Sequence, residues 1–160
     1  MAAGTLTASG TGKGRAIAIV DSFGSPTVQH DLDVYSAQFG MPGTKVQVVK
    51  CGNVPERDPE NADMLGRADE ATPGVETAHE VAPGAKMVLV DTSVEDAEGA
   101  TGLPEMTDVE KALIDHGVGD VITQSFGATG STFPGFGRGD FSGSGTARSV
   151  PPLAREGRRD

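Results

Sequence analysis

Four short runs rich in β-branched and aliphatic residues recur along the chain: RAIAIVD (15–21), TKVQVV (44–49), AKMVLVD (85–91) and DVITQSFG (120–127). Each is separated from the next by sequence of helical character. This alternation limits the chain to few architectures, because strands joined through helices come back parallel in one sheet. The first and third runs lack polar alternation, as expected of strands covered on both faces. The second is more amphipathic and belongs nearer an edge. The pattern predicts an α/β fold, a parallel sheet of about four strands near 16–20, 45–49, 86–90 and 121–125, with helices on both faces.

The helices carry their own signals. After the first strand, Ser25 can N-cap with Pro26 at the first helical position, and Val28, Leu32, Tyr35 and Phe39 keep helical spacing on one face. Gly40 closes that helix. A loop holding Pro55 and Pro59 leads into helical sequence from about Asn61. Thr107 and Glu110 form a capping box that opens a helix over 107–116, with Gly117 as its stop.

A chain of 160 residues can bury one core. Its net charge of -10 argues against nucleic acid or an anionic membrane as the main partner. The one cysteine, Cys51, rules out an internal disulfide framework. No apolar run approaches membrane-spanning length, and no signal peptide is visible at the start. From residue 136 the composition changes to Gly, Ser, Pro and Arg, with five arginines against three acids. We read three segments: a lead-in over 1–12, a partial domain over 13–135, and an irregular or non-native tail over 136–160. The Arg138-Gly139-Asp140 tripeptide in that tail is expected to be a chance occurrence.

In open α/β sheets the site lies at the carboxyl ends of the strands. Asp21, Asp91 and the segment Ser125-Phe126-Gly127 fall there. The glycine-rich run GTGKG (10–14) invites phosphate, but it precedes its strand, whereas a phosphate loop must follow a strand and open a helix. His30, His79 and His116 have no second ligand at i+3 or i+4 on an inward-pointing helix face, so no metal is expected. His30 and His116 read as exposed or helix-terminal.

Three stretches, GKGRAIAIVDSFGSPTVQHDLDVYSAQFG (12–40), AHEVAPGAKMVLV (78–90) and GDVITQSFGATGSTFPG (119–135), resemble the sedolisin family of serine-carboxyl peptidases, relatives of the subtilisins. The resemblance covers about residues 12–135. It implies a serine nucleophile activated by a glutamate, an aspartate on the same helix as that glutamate, and a further aspartate at the oxyanion. A carboxylate base suits acidic pH, where a histidine base would be protonated. The family's helix pattern resembles Glu-Thr-x-Leu-Asp-Val-Glu, with a histidine three residues on and then Ala-Pro-Gly-Ala. Counting back without a gap from AHEVAPGA sets it on EATPGVE (70–76). Glu70 then takes the catalytic place, Val75 and Glu76 match, and His79 takes the place of the helix histidine.

The middle of the pattern is where this sequence departs most. Gly74 stands where the aspartate belongs, four residues after Glu70, and Pro73 where the leucine belongs. An i, i+4 spacing would have put two carboxyls on one face. Proline in a helix interior costs roughly 3 kcal/mol and glycine roughly another 1, so a kinked helix is expected here. Arg67 replaces an aromatic the family often carries. An alternative count makes Glu76 the catalytic glutamate, at the expense of a gap within the helix. Asp21 is expected behind Glu70 as a supporting acid, or simply as a strand-end turn former. Ser125, Phe126 and Gly127 correspond to the strand that pairs with peptide substrate in the relatives.

The resemblance also says what this sequence lacks. The family's nucleophile sits in a Gly-Thr-Ser-x-x-x-Pro motif far beyond the Ser-Phe-Gly strand, and only 33 residues follow Gly127. GTARSVP (145–151) imitates the motif with Ala147 in the serine's place. The expectation is therefore a truncated, inactive portion of a serine-type endopeptidase, or a non-catalytic peptide-binding remnant of the same fold. No cofactor is expected in this chain, since the family's calcium site would fall in the missing half. The expected partner is a protein or peptide substrate, with no nucleic acid and no membrane. The parent family is extracellular, and half a sheet leaves an exposed edge that invites aggregation.

Overall fold

The computed structural model describes residues 10–93, 99–125 and 148–149 of the chain. Strands β1 (Ala16–Ser22), β2 (Val46–Cys51), β3 (Lys86–Thr92) and β4 (Val121–Gln124) alternate with helices α1 (Val28–Phe39), α2 (Ala62–Val81) and α3 (Gly99–His116). The strands lie in the order β2-β3-β1-β4 and every pairing among them is parallel. The predicted α/β sheet is present, with each strand within two residues of its expected position. A two-residue strand β5 (Arg148–Ser149) lies antiparallel to β4, opposite Val121 and Ile122. The rest of the tail, the segment 1–9, and Phe126 and Gly127 lie outside the described residues.

The sheet separates two apolar layers. Ile19, Met87 and Leu89 point to one face and pack with Val28 and Leu32 of α1 and Ala71 and Val75 of α2. Ala18, Val20, Val88, Val90 and Ile122 point to the other and pack with Met106 and Leu113 of α3. Successive side chains along β1 and β3 thus serve opposite layers, which is why neither strand shows polar alternation.

These faces fix the hand of each crossover. The β1-α1-β2 unit moves from the centre to the β2 edge with its helix on the first face. The β3-α3-β4 unit moves the opposite way with its helix on the opposite face, so the two share one hand. The β2-α2-β3 unit moves in the direction of the second but keeps its helix on the face of the first. It has the opposite hand. Since about 98% of such crossovers are right-handed, the α2 crossover is the left-handed one. This rare connection lays α2 beside α1 and over β1 and β3.

Several local expectations are corrected. Helix α1 starts at Val28 with Thr27 at the N-cap, and Thr27 makes no side-chain cap bond. Ser25 does not cap, because its buried hydroxyl accepts from Thr72 Oγ1 of α2 at 3.2 Å. The buried positions of α1 are Val28, Leu32 and Ser36. Phe39 is 61% exposed and instead stacks on Tyr35, with ring centroids 4.6 Å apart. Helix α3 begins at Gly99, so Thr107 and Glu110 lie within it and are not its capping box. Gly40 and Gly117 end α1 and α3 as expected, with φ of 66° and 64°.

Helix α2 runs through Pro73 and Gly74 from its cap at Asn61, whose side chain accepts from the backbone of Asp63 and Met64. Pro73 is on the exposed side, while Met64, Ala68, Ala71, Val75 and His79 are buried. Burial of that stripe offsets the missing backbone donor. The outer edge of β2 is partly covered as well. Gln29 Oε1 accepts from Val46 N at 2.9 Å, and its Nε2 donates to Thr44 O. No described helix is long and apolar enough to cross a membrane.

Candidate functional site at the strand ends

Strands β2, β3 and β1 finish together, and their last residues form two rows. On the face covered by α1 and α2 the register sets Lys50 beside Asp91 and Asp91 beside Asp21. On the opposite face it sets Cys51, Thr92 and Ser22 side by side. Neighbouring strands lie about 4.8 Å apart, so Asp21 and Asp91 are adjacent carboxyls. Each is 7% exposed.

Asp21 Oδ1 accepts from the backbone N–H of Ser22 at 2.7 Å. Burial nonetheless pushes its carboxyl up to about 7. The Ser22 N–H and Arg67 pull the other way, and the negative charges of Glu70 and Asp91 add to the rise. Asp91 is pushed up to about 6 by burial, against a lowering pull from Lys50. Its Oδ1 is buried and accepts no hydrogen bond.

Helix α2 supplies the groups above this row. Arg67 Nη1 contacts Glu70 Oε2 at 3.1 Å, a half-buried ion pair one helical turn apart. Glu70 is close enough to Asp21 to raise it. Glu76 faces α1 instead, where burial and the charge of Asp31 raise its carboxyl. Of the two counts along the helix, the one that starts at Glu70 therefore leads to the strand-end acid, and the one that starts at Glu76 leads away from it. A Cβ at Gly74 would stand 3.5 Å from Ile19 Cγ2, an ordinary contact, so this position faces β1.

The turn after β1 closes the site from the side. Phe23 and Gly24 both have left-handed backbones, with φ of 60° and 65°. Phe23 N donates to Thr92 O at 2.9 Å and Gly24 N to Ser22 O at 2.7 Å. Residue 24 must be glycine on two grounds, since the place a Cβ would take is already filled by the Asp91 carboxyl.

Ser125 is exposed just past β4, while Phe126 and Gly127 fall outside the described residues. His30 and His116 are exposed, as expected. His79 is fully buried on α2 with Nε2 2.8 Å from Pro42 O, which makes Nε2 the donor. No group of three or more His, Cys, Asp or Glu among the described residues could hold a metal ion. The pairing of Asp91 with Asp21 was the part of the site that sequence reasoning missed. Its one signal was the shared ending of an apolar run in Val-Asp, IVD at 19–21 and LVD at 89–91.

The chain matches no family model, no curated protein and no solved structure.

Proposed function

We propose that residues 13–125 form the acid-bearing part of a serine-carboxyl peptidase site, with Glu70 as the general base and Asp21 as the acid behind it. The observation that carries this reading is the coupling of Glu70 on α2 to Asp21 at the end of β1, in an otherwise apolar layer. Burial holds the Asp21 carboxyl well above the ordinary carboxylate range, at about 7, so it places no second negative charge behind Glu70 over the acid range. A neutral acid in that place suits a carboxylate base whose task is to take the proton of a serine hydroxyl.

This sequence contains no Gly-Thr-Ser run. The members of a nucleophilic triad act as a unit, so the acids alone give no turnover and Gly74→Asp does not restore it. The substrate class is protein or peptide, bound as an extended strand beside Ser125. A second reading, a non-catalytic peptide-binding remnant, is favoured by the Arg67–Glu70 ion pair, which occupies one carboxylate oxygen of the proposed base.

The test is complementation. The purified chain is mixed with a serine-bearing C-terminal half of an acid-active serine-carboxyl peptidase, and hydrolysis of a denatured protein is followed at about pH 4. The catalytic reading expects turnover from the mixture, none from either part, and none with Glu70→Ala. A stoichiometric complex without Glu70-dependent turnover sinks it and leaves the binding reading.

A further inference from the structure

We propose that the turn over residues 22–25 is a proton-controlled latch. It closes on Asp91 while the Asp21–Asp91 pair holds a proton, and it lifts from the strand ends when both carboxyls ionise. The proposal stands whether or not the site is a peptidase's.

Three observations meet at this turn. Asp21 and Asp91 are in-register neighbours on β1 and β3, both shielded from water, so two negative charges there repel with little screening. Asp91 Oδ1, on a side chain more than nine-tenths buried, has no hydrogen-bond partner. A proton on that carboxyl removes the charge that burial penalises, and its loss leaves a buried anion with an unmet acceptor. The turn itself seals this arrangement, because the Gly24 backbone lies against the Asp91 carboxyl.

The surrounding charges do not neutralise the pair. Lys50 of β2 acts on Asp91 from an exposed position, and Arg67 of α2 acts on Asp21 but is already engaged by Glu70, itself a negative charge. Asp31 of α1 acts on Glu76 rather than on this pair. Little holds the turn against opening. One backbone hydrogen bond, from Phe23 N to Thr92 O, ties its centre to β3, Thr72 Oγ1 donates to Ser25 Oγ at its far end, and Phe23 occupies a left-handed conformation that non-glycine residues disfavour. Lifting it at Phe23 and Gly24 removes the backbone that lies against the Asp91 carboxyl.

The direction follows from the sign of the effect. The closed state binds its protons more tightly than the open state, since Asp91 rises from 3.8 to about 6 and Asp21 to about 7. Closure is therefore favoured in acid and lost as pH rises through about 6 to 7. The rise of Asp91 from 3.8 to about 6 corresponds to about a hundredfold change in the opening equilibrium.

Amide hydrogen exchange reads this opening residue by residue. The protection of the Phe23 and Gly24 amides is measured relative to that of Leu89 in β3, at about pH 5 and about pH 8, after correction for intrinsic rates. The expected result is a fall of tenfold or more in that ratio at the higher pH, and a smaller fall in Asp91→Asn, where Asp21 alone still titrates. Gly24→Ala, which cannot seat against Asp91, is expected to show low protection at both pH values. A change below tenfold in the unmodified chain overturns the proposal, as does a fall of the same size in Asp91→Asn. Should Asp91→Asn not fold, Asp21→Asn takes its place, and an unchanged fall there is equally fatal.

Discussion

Two glycines near the site should respond to alanine with opposite signs, and the reason lies in the backbone. Gly74 is in the interior of α2 with helical geometry, and a Cβ there would meet Ile19 Cγ2 at 3.5 Å, an ordinary van der Waals contact. Nothing has to move. Gly74→Ala removes the conformational entropy that glycine carries in the unfolded chain and adds a contact to β1, a gain of about 1 kcal/mol. Gly24 differs in both respects. Its φ is +65°, and the Asp91 carboxyl occupies the position its Cβ would take. The left-handed backbone alone costs an alanine about 1–2 kcal/mol, and displacement of a buried carboxyl adds to that. The assay is urea denaturation of each variant at about pH 5, where the Asp21–Asp91 pair is protonated. The midpoint should rise for Gly74→Ala and fall for Gly24→Ala. A Gly74→Ala variant that is destabilised would mean that α2 does not pass through residue 74 as a helix packed on β1. A neutral Gly24→Ala would remove the argument that the turn closes on Asp91.

Asp21 and Asp91 bind protons more tightly in the folded chain than in the unfolded one, so their contribution is fully present below about 3.8 and lost as pH rises through about 6 to 7. Asp21→Asn keeps the acceptor for Ser22 N–H and removes the charge. It should therefore be more stable than the parent at about pH 8, by at most about 4 kcal/mol since opening of the turn relieves part of the strain, and no more stable at about pH 4. Denaturation midpoints at the two pH values check this, and a parent chain that is more stable at the higher pH contradicts it. Asn61→Ala removes the acceptor for two amides at 2.9 and 3.1 Å and should cost about 1 kcal/mol, measured in the same assay. Leu32 is fully buried between α1 and the sheet, and Leu32→Ala should cost about 2–5 kcal/mol; a loss below about 1 would place that face of α1 in solvent.

The strands were legible because two of them serve both apolar layers. RAIAIVD and AKMVLVD have no polar position to spare, and a continuous apolar run that short has few other uses. The ends of helices were harder. The Ser25-Pro26 pair looks like a cap, but Ser25 is drawn into a hydrogen bond with Thr72, forty-seven residues away, which no local pattern reports. Likewise the helix expected over 107–116 begins at Gly99, so its local capping signal at Thr107 lies inside it. The hand of the α2 crossover had no signal at all, since it depends on strand order and on which face each helix covers. Asp91 fell between these cases. Its position at a strand end was readable, whereas its adjacency to Asp21 required the register of β1 with β3.

On this reading the acids of β1, β3 and α2 form one coupled site over the strand ends. Carbon-13 NMR titration of the carboxyl groups tests it most directly, with Asp21 followed in the parent chain and in three variants. Asp21 should titrate near 7 and Asp91 near 6. Glu70→Gln and Asp91→Asn should each lower the Asp21 value by removing a negative charge, and Arg67→Gln should raise it by removing a positive one. An Asp21 that titrates near its ordinary value of 3.8, or one that does not respond to Glu70→Gln, would contradict the account.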